Sequence, residues 1–399
     1  MVKPSARIAA IAPSKTMAVD AKAKALAAEG RSVVSFGAGE PDFPTPDHIV
    51  GAAVAAARDP KNHHYTAAAG LPDLRQAIVE KTKRDSGIAV TPAQVIVTNG
   101  GKQAVYEAFA ALINDGDEVL LPTPYWTTYP ESIALAGGRA VEAFAGADQA
   151  YKVTIDQLEA ARTERTTGLV FVSPSNPTGA VYTEAEIAAI SEWLLANDLW
   201  VVTDEIYQTL TYDGVVARSI VDVVPDLAGR TVLVNGVAKT YAMTGWRVGW
   251  IVAPPEIAGA AATLQSHLCS NVNNVAQVAA LAALTGPQQP VDRMRQAFAR
   301  RRTLILEQLR AVPGVQVPTP DGAFYVYADV QGLLGHSWGG VRADSSLELA
   351  DLLLDRAGVA VVPGEAFGPS GYLRFSYALG DDAIVDGIGR LRDFVAAAD

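Results

Sequence analysis

Short β-branched runs alternate with helical stretches through the middle of this chain, and that alternation constrains its fold more than any other feature. Val95–Thr98 leads into a helical pattern over Gln103–Ile113, and Glu118–Leu121 runs into a tyrosine-rich loop. Leu169–Val172 ends at SPSNPTG, after which Glu184–Leu195 carries apolar residues near i, i+3 and i+4, the period of an amphipathic helix. Trp200–Thr203, Val232–Val234 and Val248–Val252 add three more strand-like runs. Alternation of this kind predicts an α/β fold: a mostly parallel, mixed sheet flanked by helices, with functional groups at the strand C-termini.

Two runs end on groups that are costly to bury. Asp204 closes VVTD, and Lys239 follows the apolar run Thr231–Val234 within NGVAKTYAMTGWRVG, with Arg247 eight positions later. Desolvation lowers a lysine pKa, and a neutral amine is what a Schiff-base nucleophile needs. An acid, a tyrosine (Tyr207), a lysine and an arginine at strand ends suit pyridoxal 5'-phosphate. The acid would pair with a protonated ring nitrogen, and the arginine would hold the phosphate with a planar, permanently charged head.

Eight segments in order then carry a resemblance. They are GAGEPDF (Gly37–Phe43), HHYTAAAG (His63–Gly70), TNGGKQA (Thr98–Ala104), PYWTTYP (Pro124–Pro130), SPSNPTG (Ser173–Gly179), TDEIYQ (Thr203–Gln208), the Lys239 tract and YLRFSYA (Tyr372–Ala378). The chain resembles the fold-type I, class-I aminotransferases over nearly its whole length, and most of all the branch that holds bacterial aspartate and prephenate aminotransferases. The resemblance implies catalytic roles for Lys239, Asp204 and Tyr207. It places Gly101, Lys102, Trp126, Asn176, Arg247 and Tyr65 with them around the cofactor. Trp126 would stack on the pyridine ring, Asn176 and Tyr207 would meet its phenolic oxygen, and Tyr65 would reach the neighbouring subunit's phosphate. For the substrate it implies Gly39, Trp126, Asn176 and Arg374, whose guanidinium would bind the α-carboxylate. Lys102, Thr16 and the partner's Ser266 would recognise a distal carboxylate.

Two departures stand out. Gly236 lies where many relatives have a phosphate-binding serine, and TLQSHLCSN lacks the arginine that the best-known aspartate aminotransferases bring from the second subunit. The expected reaction is reversible two-stage transamination between aspartate or glutamate and oxaloacetate or 2-oxoglutarate by a homodimer, with prephenate as the alternative substrate.

Competing readings fare worse. Gly100-Gly101-Lys102 has the look of a P-loop, but Ile96 stands where that motif needs glycine and Gln103 where it needs Ser or Thr. The glycines instead open a helix whose free N–H groups can cradle a phosphate, and Lys102 in its first turn opposes the helix dipole unless an anion lies near. GHSWG at Gly335–Gly339 matches the GxSxG of serine hydrolases, yet no histidine follows Ser337. A DNA-binding regulator built on the same fold would need an extra domain that is not evident.

Composition bounds the rest. A net charge of −11 argues against a nucleic-acid partner. No apolar run reaches the roughly 18 residues of a membrane span. The lone Cys269 excludes an internal disulfide and makes a Cys-rich metal site implausible, so a cytoplasmic protein with no metal is expected. At 399 residues two domains are expected: a large one over 46–305 and a discontinuous small one from 1–45 and 306–399, with Ala323–Ala328, Val359–Val362 and Leu373–Tyr377 as its strands and Leu347–Arg356 as a helix.

Overall fold

A computed structural model describes residues 2–399. Its centre is a seven-stranded sheet in the order Val95–Thr98, Gly249–Val252, Thr231–Gly236, Trp200–Asp204, Thr166–Val172, Glu118–Thr123, Arg139–Phe144. Neighbouring strands pair in parallel from Thr231–Gly236 outward to Arg139–Phe144, whereas Gly249–Val252 is antiparallel to both of its neighbours. The edge strand Arg139–Phe144 escapes sequence reading because RAVEAF exposes charged residues and lacks a sustained β-branched run.

Strand alternation distributes the core. Val201 packs on one face with Leu169, Phe171 and the Ile187/Ile190/Leu194 stripe of helix Glu184–Ala196. Val202, Val232, Val234 and Ile251 face the other side, against Ala104, Val105 and Phe109 of helix Gly101–Leu112 and Ala258 and Ala261 of helix Pro255–Leu268. Period 2 therefore aims Asp204, two residues after Val202, toward the second layer.

Three further strands form an antiparallel sheet, Val362–Pro363, Tyr372–Ser376 and Tyr325–Asp329. The run expected as one strand, Val359–Val362, is divided. Val359–Ala360 pairs in parallel with Val34–Ser35 near the N-terminus, and Val362–Pro363 turns to pair with Arg374 and Leu373. Helix Gln289–Arg310 carries the chain across residue 305 without a break. Its Arg301 is buried and holds Asp42 in a bidentate ion pair at 2.7 and 2.9 Å, which fastens the GAGEPDF loop. GHSWG is part of a hairpin, with Ser337–Trp338 against Val341–Arg342, and Trp338 anchors the last helix through a 2.8 Å bond to the Phe394 carbonyl. The strand–turn–helix that a hydrolase nucleophile requires is not formed there. No helix among the described residues is long and apolar enough to cross a membrane.

Three strand ends meet the start of helix Gly101–Leu112, and glycines make the meeting possible. Gly249 pairs with both Thr98 and Gly236. A Cβ on Gly249 would lie 2.6 Å from the Gly101 nitrogen and 2.7 Å from the Gly100 carbonyl carbon, both rigid backbone atoms. Gly249→Ala should therefore destabilise the fold by about 1–3 kcal/mol through overpacking. An unchanged unfolding midpoint in urea would show that this junction is not close-packed.

Candidate active site

The strand C-termini open into a cavity of about 320 Å3. Thr16, Gly39, Gly101, Lys102, Trp126, Asn176, Asp204, Tyr207, Lys239, Arg247 and Arg374 all line it, so eleven residues spread over most of the sequence converge. Tyr65 and Ser266 do not reach it. Tyr65 is 87% exposed, and the exposed Ser266 turns its hydroxyl back to the Thr263 carbonyl at 2.7 Å.

Lys239 sits where the chain leaves Thr231–Gly236, and its amine donates to the Gly39 carbonyl. Burial pushes the amine down to about 8. Glu40 and Asp204 oppose that shift, while Arg374 and Arg247 reinforce it. No carboxylate lies within ion-pair distance of Lys239 among the described residues, so much of the desolvation is uncompensated.

Asp204 is 4% exposed. One carboxylate oxygen accepts from the Tyr129 hydroxyl at 2.9 Å and the other from the Ile206 N–H at 3.1 Å. Burial raises the carboxyl to about 6, with those two donors and the charge of Lys239 pulling back. Tyr129 is itself buried and meets Trp126 edge-to-face, centroids 5.3 Å apart. It is a site residue that sequence reading missed, although it lies inside PYWTTYP. Only the packing of the Thr128–Leu135 helix against the sheet brings its hydroxyl to Asp204.

Arg374 is 2% exposed in the middle of Tyr372–Ser376. Its two terminal nitrogens donate to the Asn176 side-chain oxygen at 3.0 Å and the Gly37 carbonyl at 2.9 Å. Its Nε is buried without a partner, and no ion pair reaches it among the described residues. The guanidinium lies over the rings of Tyr325 at 4.5 Å and Phe367 at 5.0 Å. Neutral acceptors and π faces replace part of its hydration but leave the charge uncompensated, which is the setting for an incoming anion.

Arg247 takes a left-handed backbone, φ 58°, and bonds the Thr244 and Asn99 carbonyls at 2.9 and 3.3 Å. Its head lies so close to Gly100 that a Cβ there would come within 2.5 Å of a guanidinium nitrogen. Beside it, the Gly101 and Lys102 N–H groups that open helix Gly101–Leu112 have no carbonyl behind them, the Gly100 carbonyl being taken by Gln103 and Ala104. Together they form an anion cradle. At Gly236 a Cβ would lie 3.0 Å from the Val248 carbonyl oxygen and 3.1 Å from the Gly249 Cα, a tight fit that needs those neighbours to give by a few tenths of an ångström. Lys102 stands at the mouth, its ammonium 5.4 Å from the Trp126 ring centre, and burial and the charge of Arg247 lower its pKa.

Comparison with known proteins bears on this arrangement. The family model for "Aminotransferase class I and II" matches residues 31–388. An aspartate aminotransferase of Streptomyces avermitilis is 58% identical over 99% of this chain and 97% of its own length. An aspartate/prephenate aminotransferase of Cereibacter sphaeroides is 46% identical over 98% of each chain. Among solved structures, the aspartate aminotransferase of Rhizobium meliloti superimposes with a TM-score of 0.96 at 37% identity over 100% of both chains. That of Thermus thermophilus with maleate gives 0.92 at 39%, over 99% of this chain and 100% of its own.

The uncompensated burial of Lys239 can be tested without any ligand. Only a neutral amine is acetylated, so in competitive labelling with acetic anhydride Lys239 should gain reactivity through a midpoint near 8, while surface lysines keep an ordinary lysine midpoint. A Lys239 peptide that labels only above pH 10 would refute the electrostatic account of the cavity.

Proposed function

We infer the function of this chain from its family and its cavity: it belongs to the class I and II aminotransferases, which work with pyridoxal phosphate. The residues present fit that cofactor. Arg247 and the open helix start beside Gly100 and Gly101 suit its phosphate, Asp204 its ring nitrogen, Tyr207 and Asn176 its ring oxygen, and Lys239 its aldehyde carbon. Bound there, the cofactor supplies an electron sink for negative charge at a substrate carbon.

The protein's own residues supply the rest. Asp204, ionised above about 6 and held by Tyr129, keeps a proton on the ring nitrogen. Lys239, whose amine is half neutral near 8, would remove the proton from the substrate Cα and return it at the cofactor's aldehyde carbon, two atoms away. Arg374 gains the counter-charge it lacks from the substrate α-carboxylate, in the bidentate geometry a guanidinium favours. Trp126 covers the ring.

We propose aspartate and 2-oxoglutarate as the substrate pair, with oxaloacetate and glutamate as products. The observation that carries this is the cationic cavity itself: Arg374 for one carboxylate and Lys102, unpaired at the mouth, for a second. Thr16 adds a hydroxyl to the cavity lining. Relatives named for aspartate and a neighbour solved with maleate, itself a dicarboxylate, support the reading. Prephenate is a second substrate consistent with the same two cations, favoured by the aspartate/prephenate name of the Cereibacter sphaeroides relative. The cavity lies between a large unit of 46–305 and a small one of 1–45 and 306–399. The protein acts in the cytoplasm as a homodimer, each subunit lending Tyr65 and Ser266 to its partner's site.

A charge-assisted contact is worth about 1.5–3 kcal/mol, so Lys102→Ala should lower kcat/KM for aspartate by roughly ten- to hundredfold. The same variant should change alanine turnover far less. Equal losses for both donors would sink the specificity role and leave transamination standing. Sedimentation of the holoenzyme at micromolar concentration should give a dimer, and an active monomer that retains cofactor would defeat the shared-site reading of Tyr65.

A further inference from the structure

Tyr207 shares its hydroxyl with a residue to which neither its motif nor its strand points. The oxygens of Tyr207 and Tyr325 lie 2.9 Å apart, with both side chains buried and the rings edge-to-face. Each phenol has one proton, and the distance between the oxygens does not say which is the donor. The order matters for chemistry. If Tyr207 donates to Tyr325, it shows only lone pairs to the cavity and repels a negatively charged oxygen there. If Tyr325 donates, the Tyr207 proton is free to point into the cavity.

We propose that Tyr325 is a positioning residue whose hydroxyl donates to Tyr207 and thereby presents the Tyr207 proton to the cofactor's ring oxygen. The proposal rests on the reading of Tyr207 given under the proposed function. Three observations carry it. Tyr207 is the one hydrogen-bond partner of the Tyr325 hydroxyl among the described residues, so a buried proton at Tyr325 is satisfied by protein only in this direction. The Arg374 guanidinium sits 4.5 Å from the Tyr325 ring centre, and a cation over a ring draws charge from it, making that phenol the more acidic of the pair and the better donor. Burial raises both hydroxyls and Arg374 pulls both back, but the contact between them lowers Tyr325 and raises Tyr207.

The arrangement is also rigid. Tyr325 pairs with Ser376, two residues from Arg374, in the three-stranded sheet, so the cation and the phenol it polarises ride on adjacent, hydrogen-bonded strands. A hydroxyl that accepts one hydrogen bond gives a stronger one, so Tyr325 also strengthens the Tyr207 contact it orients.

The test is a double-mutant cycle read from the pH midpoint of the holoenzyme's visible absorbance. A donor aimed at the ring oxygen favours its more negative form, so Tyr207→Phe should raise the midpoint. Tyr325→Phe keeps the ring under Arg374 and removes only the hydroxyl. It should raise the midpoint by about half a pH unit, as expected for one weakened hydrogen bond, and leave KM for aspartate within about twofold. In the Tyr207→Phe background the same substitution should shift nothing. Incorporation of 3-fluorotyrosine at position 325, a more acidic phenol of nearly the same size, should lower the midpoint and gives a readout even if Tyr325→Phe folds poorly. No shift in Tyr325→Phe, or equal shifts in both backgrounds, would overturn the relay while leaving the Tyr207 reading intact. If Tyr207→Phe itself leaves the midpoint unmoved with cofactor bound, the contact of Tyr207 with the ring oxygen fails and the relay fails with it.

Discussion

The structure depends on keeping positive charge uncompensated inside one cavity. Lys239, Arg247 and Arg374 all face it, and no carboxylate pairs with any of them among the described residues. Arg247 is exposed to solvent, whereas Arg374 is buried and Lys239 partly so; isolated buried cations are expensive, and most proteins neutralise or pair them. Here the charges are carried by neutral acceptors and aromatic faces: Gly39, Thr244, Asn99, Gly37 and Asn176 oxygens, with Tyr325 and Phe367 rings against Arg374. Such partners hold geometry without cancelling charge. The site is thus set to gain free energy when phosphate and carboxylate groups enter.

The same logic explains the fixed acid. Asp204 is the one fully buried carboxylate at the cavity, and two neutral donors rather than a cation hold it. A salt bridge there would lower its pKa further and consume the charge. Tyr129 and the Ile206 N–H keep both oxygens in place while burial leaves the carboxyl near 6, an ion at neutral pH that is not already spent on a partner. Glycines have a comparable role on the phosphate side. Gly249 lets the strand ends and the helix start meet where a Cβ would lie 2.6 Å from backbone, and Gly100, at a positive φ, leaves room for the Arg247 head.

Much of this was legible along the chain because its signals are local. A strand that ends in Asp or runs into Lys is written in consecutive residues, and so is a Gly-Gly helix start or an arginine between apolar neighbours in YLRFSY. Period-2 and period-3.6 patterns, read with the family's ordered motifs, indicated the sheet, its flanking helices and eleven residues that converge on one cavity. Residue chemistry carried the prediction wherever a group was costly to bury unless it was used.

Tertiary structure alone decided which groups act in pairs. Nothing in PYWTTYP distinguishes Tyr129 from Tyr125, since what matters is that a helix packed on the sheet drops one hydroxyl 2.9 Å from Asp204. Tyr325 lies 118 residues from Tyr207, and its contact exists only because the three-stranded sheet packs against the strand ends of the large one. The split of Val359–Val362 between two partner strands, the reversed Gly249–Val252 strand and the steric demand for glycine at 249 likewise arise between distant segments. Sequence by itself determined which chemistry this chain can hold, because burying charge is costly wherever it occurs. Tertiary structure decided the orientation of each proton and donor, because hydrogen-bond direction is set by neighbours that are close in space and remote in the chain.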